Sequence, residues 1–335
     1  MSNPPRATFI LFAYNQEAYV AEAIAGAFAQ DYPDLEIILS DDGSSDGSFA
    51  IIEEAVCRYD GPHRVIASRT PVNAGLLAHI YHAVAKASGD LIVVAAGDDV
   101  SLPQRVSVLV DAWRQSGALA LSSYSQLIDR YGKSTGRIER GWRNNDLASW
   151  FADGNISMVP GASAAYDRKL FEAVDLPDFP IFVEDVFFSL MLRLRSQRVF
   201  DVPEVLVQYR AHGESMINRP LEEIGDMAED ERRQERYAEM RARTIAYVAQ
   251  VARTGRGINQ AFGTQAPMCW PAIEADLRHA WFRANWIDAS LTNRFVELIK
   301  VVGSRAKLRW LLPRVGGLAT LRVQRAISAS LRRAR

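Results

Sequence analysis

The chain has 335 residues, 48% hydrophobic and 24% charged, with a formal net charge of −1, which is enough apolar material to bury one full core or two. The amino end, MSNPPRATF, lacks the apolar region of a signal peptide, and no stretch reaches the roughly 18 to 20 continuous apolar residues that span a bilayer, so a soluble, cytoplasmic protein is expected. Cys57 and Cys269 lie far apart without ligand-like spacing, which argues against a disulfide framework or a zinc site.

Thr8 to Ala13 (TFILFA) reads as a short apolar strand. The stretch after it, AYNQEAYVAEAIAGAFAQ, puts Val20, Ile24, Ala27 and Phe28 on one helical face. Leu35 to Ser40 is a second strand, followed by DDGSSDGS, a turn-rich opening to a helix that holds Phe49, Ile52 and Val56. His63 to Ser68 is a third strand, and a helix from about Leu76 to Ala87 leads into GDLIVVAAGDDV at 89–100. There Leu91, Ile92, Val93, Val94 and Ala95 form the continuous apolar run of a strand covered on both faces. Strands separated by helical patterns of about ten to fifteen residues predict βαβ crossovers and a parallel sheet. Ser101 and Pro103 are expected to open the next helix.

The fourth strand runs into Asp98 and Asp99. In an open α/β sheet, ligands bind at the carboxyl ends of the strands, where the strand order reverses. Adjacent acids there repel unless they share a cation, and a hard divalent ion with phosphate oxygens in its remaining positions fits. A solvated turn capping the next helix fits the same residues. The loops after strands one and two, Ala13-Tyr14-Asn15 and Asp41-Asp42-Gly43-Ser44, open at the same edge, and Asn73-Ala74-Gly75 follows strand three. Each alone is an ordinary turn; the joint order is what carries information.

In that order and spacing, YNQEAYVAEAIAGAFAQDYPDLEIILSDDGSSDGS, NAGL and ASGDLIVVAAGDD resemble the nucleotide-sugar-binding half of the family 2 glycosyltransferases of the GT-A fold. The likeness continues through GASAAYDRKLF (161–171), VEDVFFSLMLRL (183–194) and VPEVLVQYRAHGES (202–215), covering roughly residues 7 to 216. It implies an α/β fold, a Rossmann-like, mainly parallel sheet with helices on both faces, extended at the carboxyl end by helices. It also implies an inverting enzyme that moves a sugar from a nucleoside diphosphate, UDP by preference, to a hydroxyl of a glycan or lipid-linked acceptor, as in surface polysaccharide assembly.

On this resemblance Ala13, Tyr14 and Asn15 line the donor, with Tyr14 against the nucleobase. Asp41 accepts a hydrogen bond from the base, which suits uracil N3 and also serves guanine or thymine. Asp42 sits by the ribose or caps the helix, and Asn73 and Gly75 complete the donor side. Asp98 resembles the ribose-side acid, and Asp99, with Asp98 and His212, the ligands of Mg²⁺ or Mn²⁺. Many relatives have another aspartate where this chain has Ala96, so Gly97-Asp98-Asp99 is read as an x-D-D variant. Arg210 pairs with the diphosphate. Glu184-Asp185 stands where the family keeps its acid–base residue: Asp185 takes the acceptor proton and Glu184 orients the acceptor or a neighbouring group. Without the resemblance, both acids simply complement a helix N-terminus.

On the acceptor side, LALSSYSQLIDRYGKSTG predicts two strands joined by a turn. Trp142 and Trp150 offer faces that stack on sugar rings, although core packing explains Trp150 equally well. Gly161-Ala162-Ser163 introduces a strand with small residues, and Gly161 and Ser163 are candidate acceptor contacts.

The expected organisation is a glycosyltransferase domain over 1–216 (donor half 7–116, acceptor half 117–216), a helical extension over 217–293 and a basic amphipathic tail over 294–335. Residues 221–252 alternate charges around Ile224, Met227, Met240, Ile245 and Val248, as in a long surface helix or an oligomer-forming hairpin. From Arg294 onward the tail holds eleven Lys and Arg against one Glu. Such a tail fits an anionic membrane surface, here the inner face, or docking on the acidic catalytic domain. No nucleic-acid reading module is present. Two rivals remain: a non-catalytic nucleotide-sugar-binding scaffold, suggested by Ala96, and a dinucleotide oxidoreductase, which needs a glycine-rich turn where AYNQEAY has no glycine.

Overall fold

The computed structural model describes residues 5–140, 159–172, 176, 184–194, 199–212, 239, 243 and 244. Trp142, Trp150, the tail and nearly all of 217–293 lie outside the described residues. Two compact units divide the chain: 1–144 with 158–211 and 247–266, and 145–157 with 212–246 and 267–335.

In the first unit the apolar runs form β1 (Ala7–Ala13), β2 (Leu35–Asp41), β3 (Arg64–Arg69) and β4 (Leu91–Ala96). They are joined through helices α1 (Val20–Phe28), α2 (Ser48–Arg58) and α3 (Leu76–Val84). Beyond them come β5 (Val100–Ser101), α4 (Arg105–Ser116), β6 (Ala120–Ile128), β7 (Ser134–Glu139), a 3-10 turn at Gly161–Ser163, β8 (Ala164–Asp167), α5 (Lys169–Glu172), α6 (Glu184–Leu194) and β9 (Val199–Arg210). The sheet order is β3-β2-β1-β4-β8-β6-β9-β5, with β7 on β6. Its amino-terminal half is parallel. In the other half β8 runs antiparallel to β4 and β6, whereas β9 runs parallel to β6. Tyr209 and Arg210 form the end of β9.

β1, β2 and β4 lose both faces to the core. Phe9, Leu11, Ile37, Leu39, Leu91 and Val93 pack with Val20, Ile24 and Ala27 of α1 and Val106, Leu109 and Val110 of α4. Residues of the opposite parity, Ile10, Ile38 and Ile92, are equally inaccessible. At about 1.5–3 kcal/mol for each buried large aliphatic or aromatic side chain, these strands are the principal source of stability.

Two helix starts differ from the sequence expectation. Residues 14–18 are not helical, because the amides of Asn15, Gln16 and Glu17 donate to Ser44 Oγ, Ser48 Oγ and Asp46 Oδ2 at 2.9, 2.8 and 3.0 Å. The helix after β4 begins at Arg105 because Ser101 pairs with Val207 in the sheet. Its first turn is capped from a distance: Gln30 Oε1 accepts from the Val106 amide at 3.0 Å, and Gln30 Nε2 donates to Leu102 O at 2.9 Å. No described helix is long and apolar enough to cross a membrane.

Candidate active site

The parallel registers bring the strand ends to one edge. Ala13 pairs with Asp41, Phe12 with Ala96, and Asp41 with Arg69. Strand order reverses between β1 and β4, so the loops after both open at the switch point.

The first two loops are fastened together. Ala13 O accepts from the Asp42 amide at 2.9 Å. Asn15, at φ 51°, turns its Oδ1 to the Ser45 amide at 2.9 Å, and Glu17 Oε2 accepts from the Gly47 amide at 2.7 Å. Ala13 and Asn15 therefore build the loops, and Tyr14 is left standing out, 47% exposed.

Asp41 is fully buried. Its Oδ2 accepts from the Ser44 amide at 2.9 Å and pairs with Arg69 Nε at 3.3 Å, while Oδ1 has no hydrogen-bond partner. Arg69, which sequence reasoning passed over, also donates to Ser44 O at 2.8 Å and lies over the Phe49 ring. Asp42 was expected at the ribose or as a helix cap. Its carboxylate accepts from Thr70 Oγ1 at 2.8 Å and from the amides of Ala74 and Gly75 at 3.0 and 3.1 Å, fastening the Asn73–Gly75 loop. Behind β2, His79 Nε2 and Ser40 Oγ share a 2.7 Å hydrogen bond, and burial brings the imidazole down to about 4, so it is neutral at pH 7.

After β4, Asp99 Oδ1 accepts from the Arg210 amide at 2.8 Å, and the buried Oδ2 has no partner. Burial, followed by the like charge of Asp98, pushes the Asp99 carboxyl well above the usual carboxylate range. Arg210 was expected to meet a diphosphate. Its guanidinium is 2% exposed and committed elsewhere: Nε to Asp98 O at 2.9 Å, Nη2 to Glu22 Oε2 at 2.5 Å, and Nη1 to the carbonyls of Asp129 and Arg130. With the Tyr19 ring beneath it, Arg210 shapes the turn that carries the two acids. No group of three or more His, Cys, Asp or Glu placed for a metal ion occurs among the described residues. A bare carboxylate oxygen beside a second acid suits a hard divalent ion that takes its other ligands from phosphate. His212 is buried and belongs to the second unit.

β8 runs antiparallel to β4, with Val93 opposite Ala165, so the Gly161–Ser163 turn stands by the carboxyl end of β4. A side chain at Gly161 would run into the Glu184 carboxylate, which occupies the space a Cβ needs. Burial, then the neighbouring Asp185 carboxylate, pushes Glu184 up to about 8. Asp185 Oδ1 accepts from the Val186 amide at 2.7 Å in the first turn of α6. Tyr166, buried between Phe171 and Phe188, has a hydroxyl without a partner; burial and the two acids raise its pKa. Ser163, a proposed acceptor contact, is buried with its Oγ donating to Pro160 O at 3.4 Å, so it supports the turn. Arg105 was not foreseen either. Its buried guanidinium bonds to Ser101 Oγ, Val94 O and Ala162 O at 2.8, 2.6 and 3.0 Å.

The sequence profile described as Glycosyl transferase family 2 matches residues 8–175. The chain belongs to that family. A Haemophilus influenzae protein named as an uncharacterized glycosyltransferase is 29% identical over 227 residues, covering 64% of this chain and 68% of its own length. The Bacillus subtilis protein EpsE is 35% identical over 106 residues, 32% of this chain and 37% of EpsE. Solved glycosyltransferase structures share the GT-A fold. The mannosyltransferase PcManGT from Pyrobaculum calidifontis, in complex with GDP-Man and Mn²⁺, superposes with a TM-score of 0.53 at 18% identity, covering 97% of this chain and 87% of the other. Staphylococcus aureus TarS 1-349 in complex with UDP-GlcNAc gives 0.52 at 15% identity, covering 83% and 81%.

Proposed function

We propose that this chain is an inverting glycosyltransferase that moves a sugar from a nucleoside diphosphate to a hydroxyl of a glycan or lipid-linked acceptor. The observation that carries the reading is a pair of buried carboxylate oxygens without partners, Asp41 Oδ1 and Asp99 Oδ2, in loops at one sheet edge. An unpaired buried oxygen costs about 1–3 kcal/mol, so both ask for a ligand. Asp41 Oδ1 is an acceptor for a base N–H, with the exposed Tyr14 ring available to cover the base. The Arg69 guanidinium beside Asp41 supplies donors that suit the carbonyl oxygens of uracil, which favours a UDP-linked sugar.

Asp98 and Asp99 would hold Mg²⁺ or Mn²⁺, which, when bound, neutralises charge on the departing diphosphate. The acceptor hydroxyl oxygen bonds to the anomeric carbon as the bond to the diphosphate breaks, and Asp185 takes the hydroxyl proton. Glu184, held protonated at neutral pH, donates a hydrogen bond that orients the acceptor or Asp185. The tail, 294–335, tethers the enzyme to an anionic membrane surface where a lipid-linked acceptor would lie.

The test is a thermal-shift and calorimetric screen of UDP, GDP and their sugars, with and without Mn²⁺, followed by donor-turnover assays. Binding of a nucleoside diphosphate strengthened by Mn²⁺, with turnover abolished in Asp185→Asn, is expected. Binding without turnover by the wild type would instead support the scaffold reading.

A further inference from the structure

β4 and β8 are paired from Leu91 and Asp167 to Val93 and Ala165, and no further. One step on, the ladder would join Val94 to Ala164, but the strands part there. The Arg105 guanidinium stands in the gap. Nη2 donates to Val94 O at 2.6 Å, Ala162 O at 3.0 Å and Ala164 O at 3.4 Å, and Nη1 to Ser101 Oγ at 2.8 Å. The side chain is wholly buried, and its guanidinium carbon lies 5.9 Å from the centre of the Phe9 ring.

A cation in the first turn of a helix opposes the helix dipole, and a buried one loses its hydration. If the position needed only filling, an apolar side chain would serve stability as well or better. What an apolar side chain lacks is a donor that reaches carbonyls of two separate segments at once: Nη2 bonds to both, aimed by Nη1, which is held on Ser101 Oγ. Those segments are the two walls of the candidate site. Val94 lies on the strand that leads into Asp98 and Asp99, and Ala162 lies in the turn against which Glu184 is packed.

Building on the glycosyl-transfer reading, we propose that Arg105 is a positioning residue: it sets the opening between the Asp98-Asp99 turn and the Gly161–Ser163 turn. It thereby sets the distance from the departing diphosphate to the acceptor and its base. Nucleotide contacts at Asp41 and Tyr14 lie on the other loops and are independent of it.

The test uses the full chain, Arg105→Lys and Arg105→Met. Arg105→Lys keeps a cation but loses the planar group in which Nη1, held on Ser101 Oγ, aims Nη2 at both carbonyls. Hydrogen–deuterium exchange should quicken in peptides covering 94–99 and 159–165 while 35–41 stays protected. The affinity for UDP without metal, which rests on Asp41 and Tyr14, should stay within about threefold, while kcat for transfer falls about 100-fold, the order expected when reacting groups are displaced by about 1 Å. Arg105→Met should be no better than Arg105→Lys in kcat, even if it melts at or above the wild-type temperature. Unchanged local exchange, or a kcat loss matched by an equal loss of UDP affinity, overturns the assignment. A wild type that turns over no UDP- or GDP-sugar, with the local exchange change still present in Arg105→Lys, supports the structural role of Arg105 and overturns the transfer reading instead.

Discussion

A carboxylate oxygen buried without a donor costs stability, and under the glycosyl-transfer proposal the two at the sheet edge are where a bound nucleotide and cation would offset that cost. Asp99→Asn should therefore melt higher than the wild type by a margin that grows as pH rises, because an amide cannot ionise where burial and Asp98 oppose the Asp99 charge, and its amide oxygen still serves the Arg210 amide. The same change should weaken UDP binding in the presence of Mn²⁺ by about tenfold or more, about 1.4 kcal/mol, by calorimetry. Glu184 gives a pH signature. Its folded pKa of about 8 lies above the unfolded value near 4.3, so between those values the unfolded chain has lost a proton that the folded chain keeps. Stability from this group is thus intact below about pH 4, declines as pH rises towards about 8, and is lost beyond it. Urea unfolding should show Glu184→Gln gaining on the wild type across that window; parallel curves would remove the assignment. Position was legible where an acid ends an apolar strand or opens an apolar helix: Asp41 ends β2, Asp99 follows β4 and Glu184 begins α6. The partners of Asp42, Arg210 and Arg105 were not legible, because Thr70, Asp98 and Ala162 lie 28, 112 and 57 positions away in the chain.

Elements written as uninterrupted apolar runs were found from the sequence nearly to the residue: β1, β2 and β4 each differ by one position from the expectation. Elements made by long-range pairing were not. β5 has two residues and exists only because β9 passes beside it, and α1 starts late because the next loop claims its first amides. That clasp yields a prediction. Asn15→Ala removes an acceptor from the Ser45 amide, so urea unfolding should report a loss of about 1 kcal/mol, and UDP affinity should fall because Tyr14 and Asp41 are no longer held in register. The acceptor wall can be probed through Gly161. Gly161→Ala places a methyl where the Glu184 carboxylate stands, so transfer should drop sharply while UDP binding with Mn²⁺ is retained. Equal losses in both measurements would mean that the two walls do not act separately.

At the scale of the whole chain, the net charge of −1 conceals a division of labour. The last 42 residues hold eleven cations and one acid, so the rest must carry a comparable negative excess. Close to an anionic surface each cation contributes about 1 kcal/mol, whereas at physiological ionic strength the acidic body is screened beyond about 8 Å. The body therefore does not cancel the attraction if the tail is held away from it, and cancels much of it if the tail is docked. The two arrangements predict opposite outcomes on deleting 294–335. A tether predicts that the full chain sediments with phosphatidylglycerol vesicles but not phosphatidylcholine vesicles, that this fades as salt is raised, and that the shortened chain stays in the supernatant with an unchanged melting temperature. Docking predicts little vesicle binding by either chain and a lower melting temperature on deletion, since like charges on the acidic body lose their counterweight. Vesicle partitioning that is the same with and without the tail would end the tether proposal while leaving the chemistry at the sheet edge untouched.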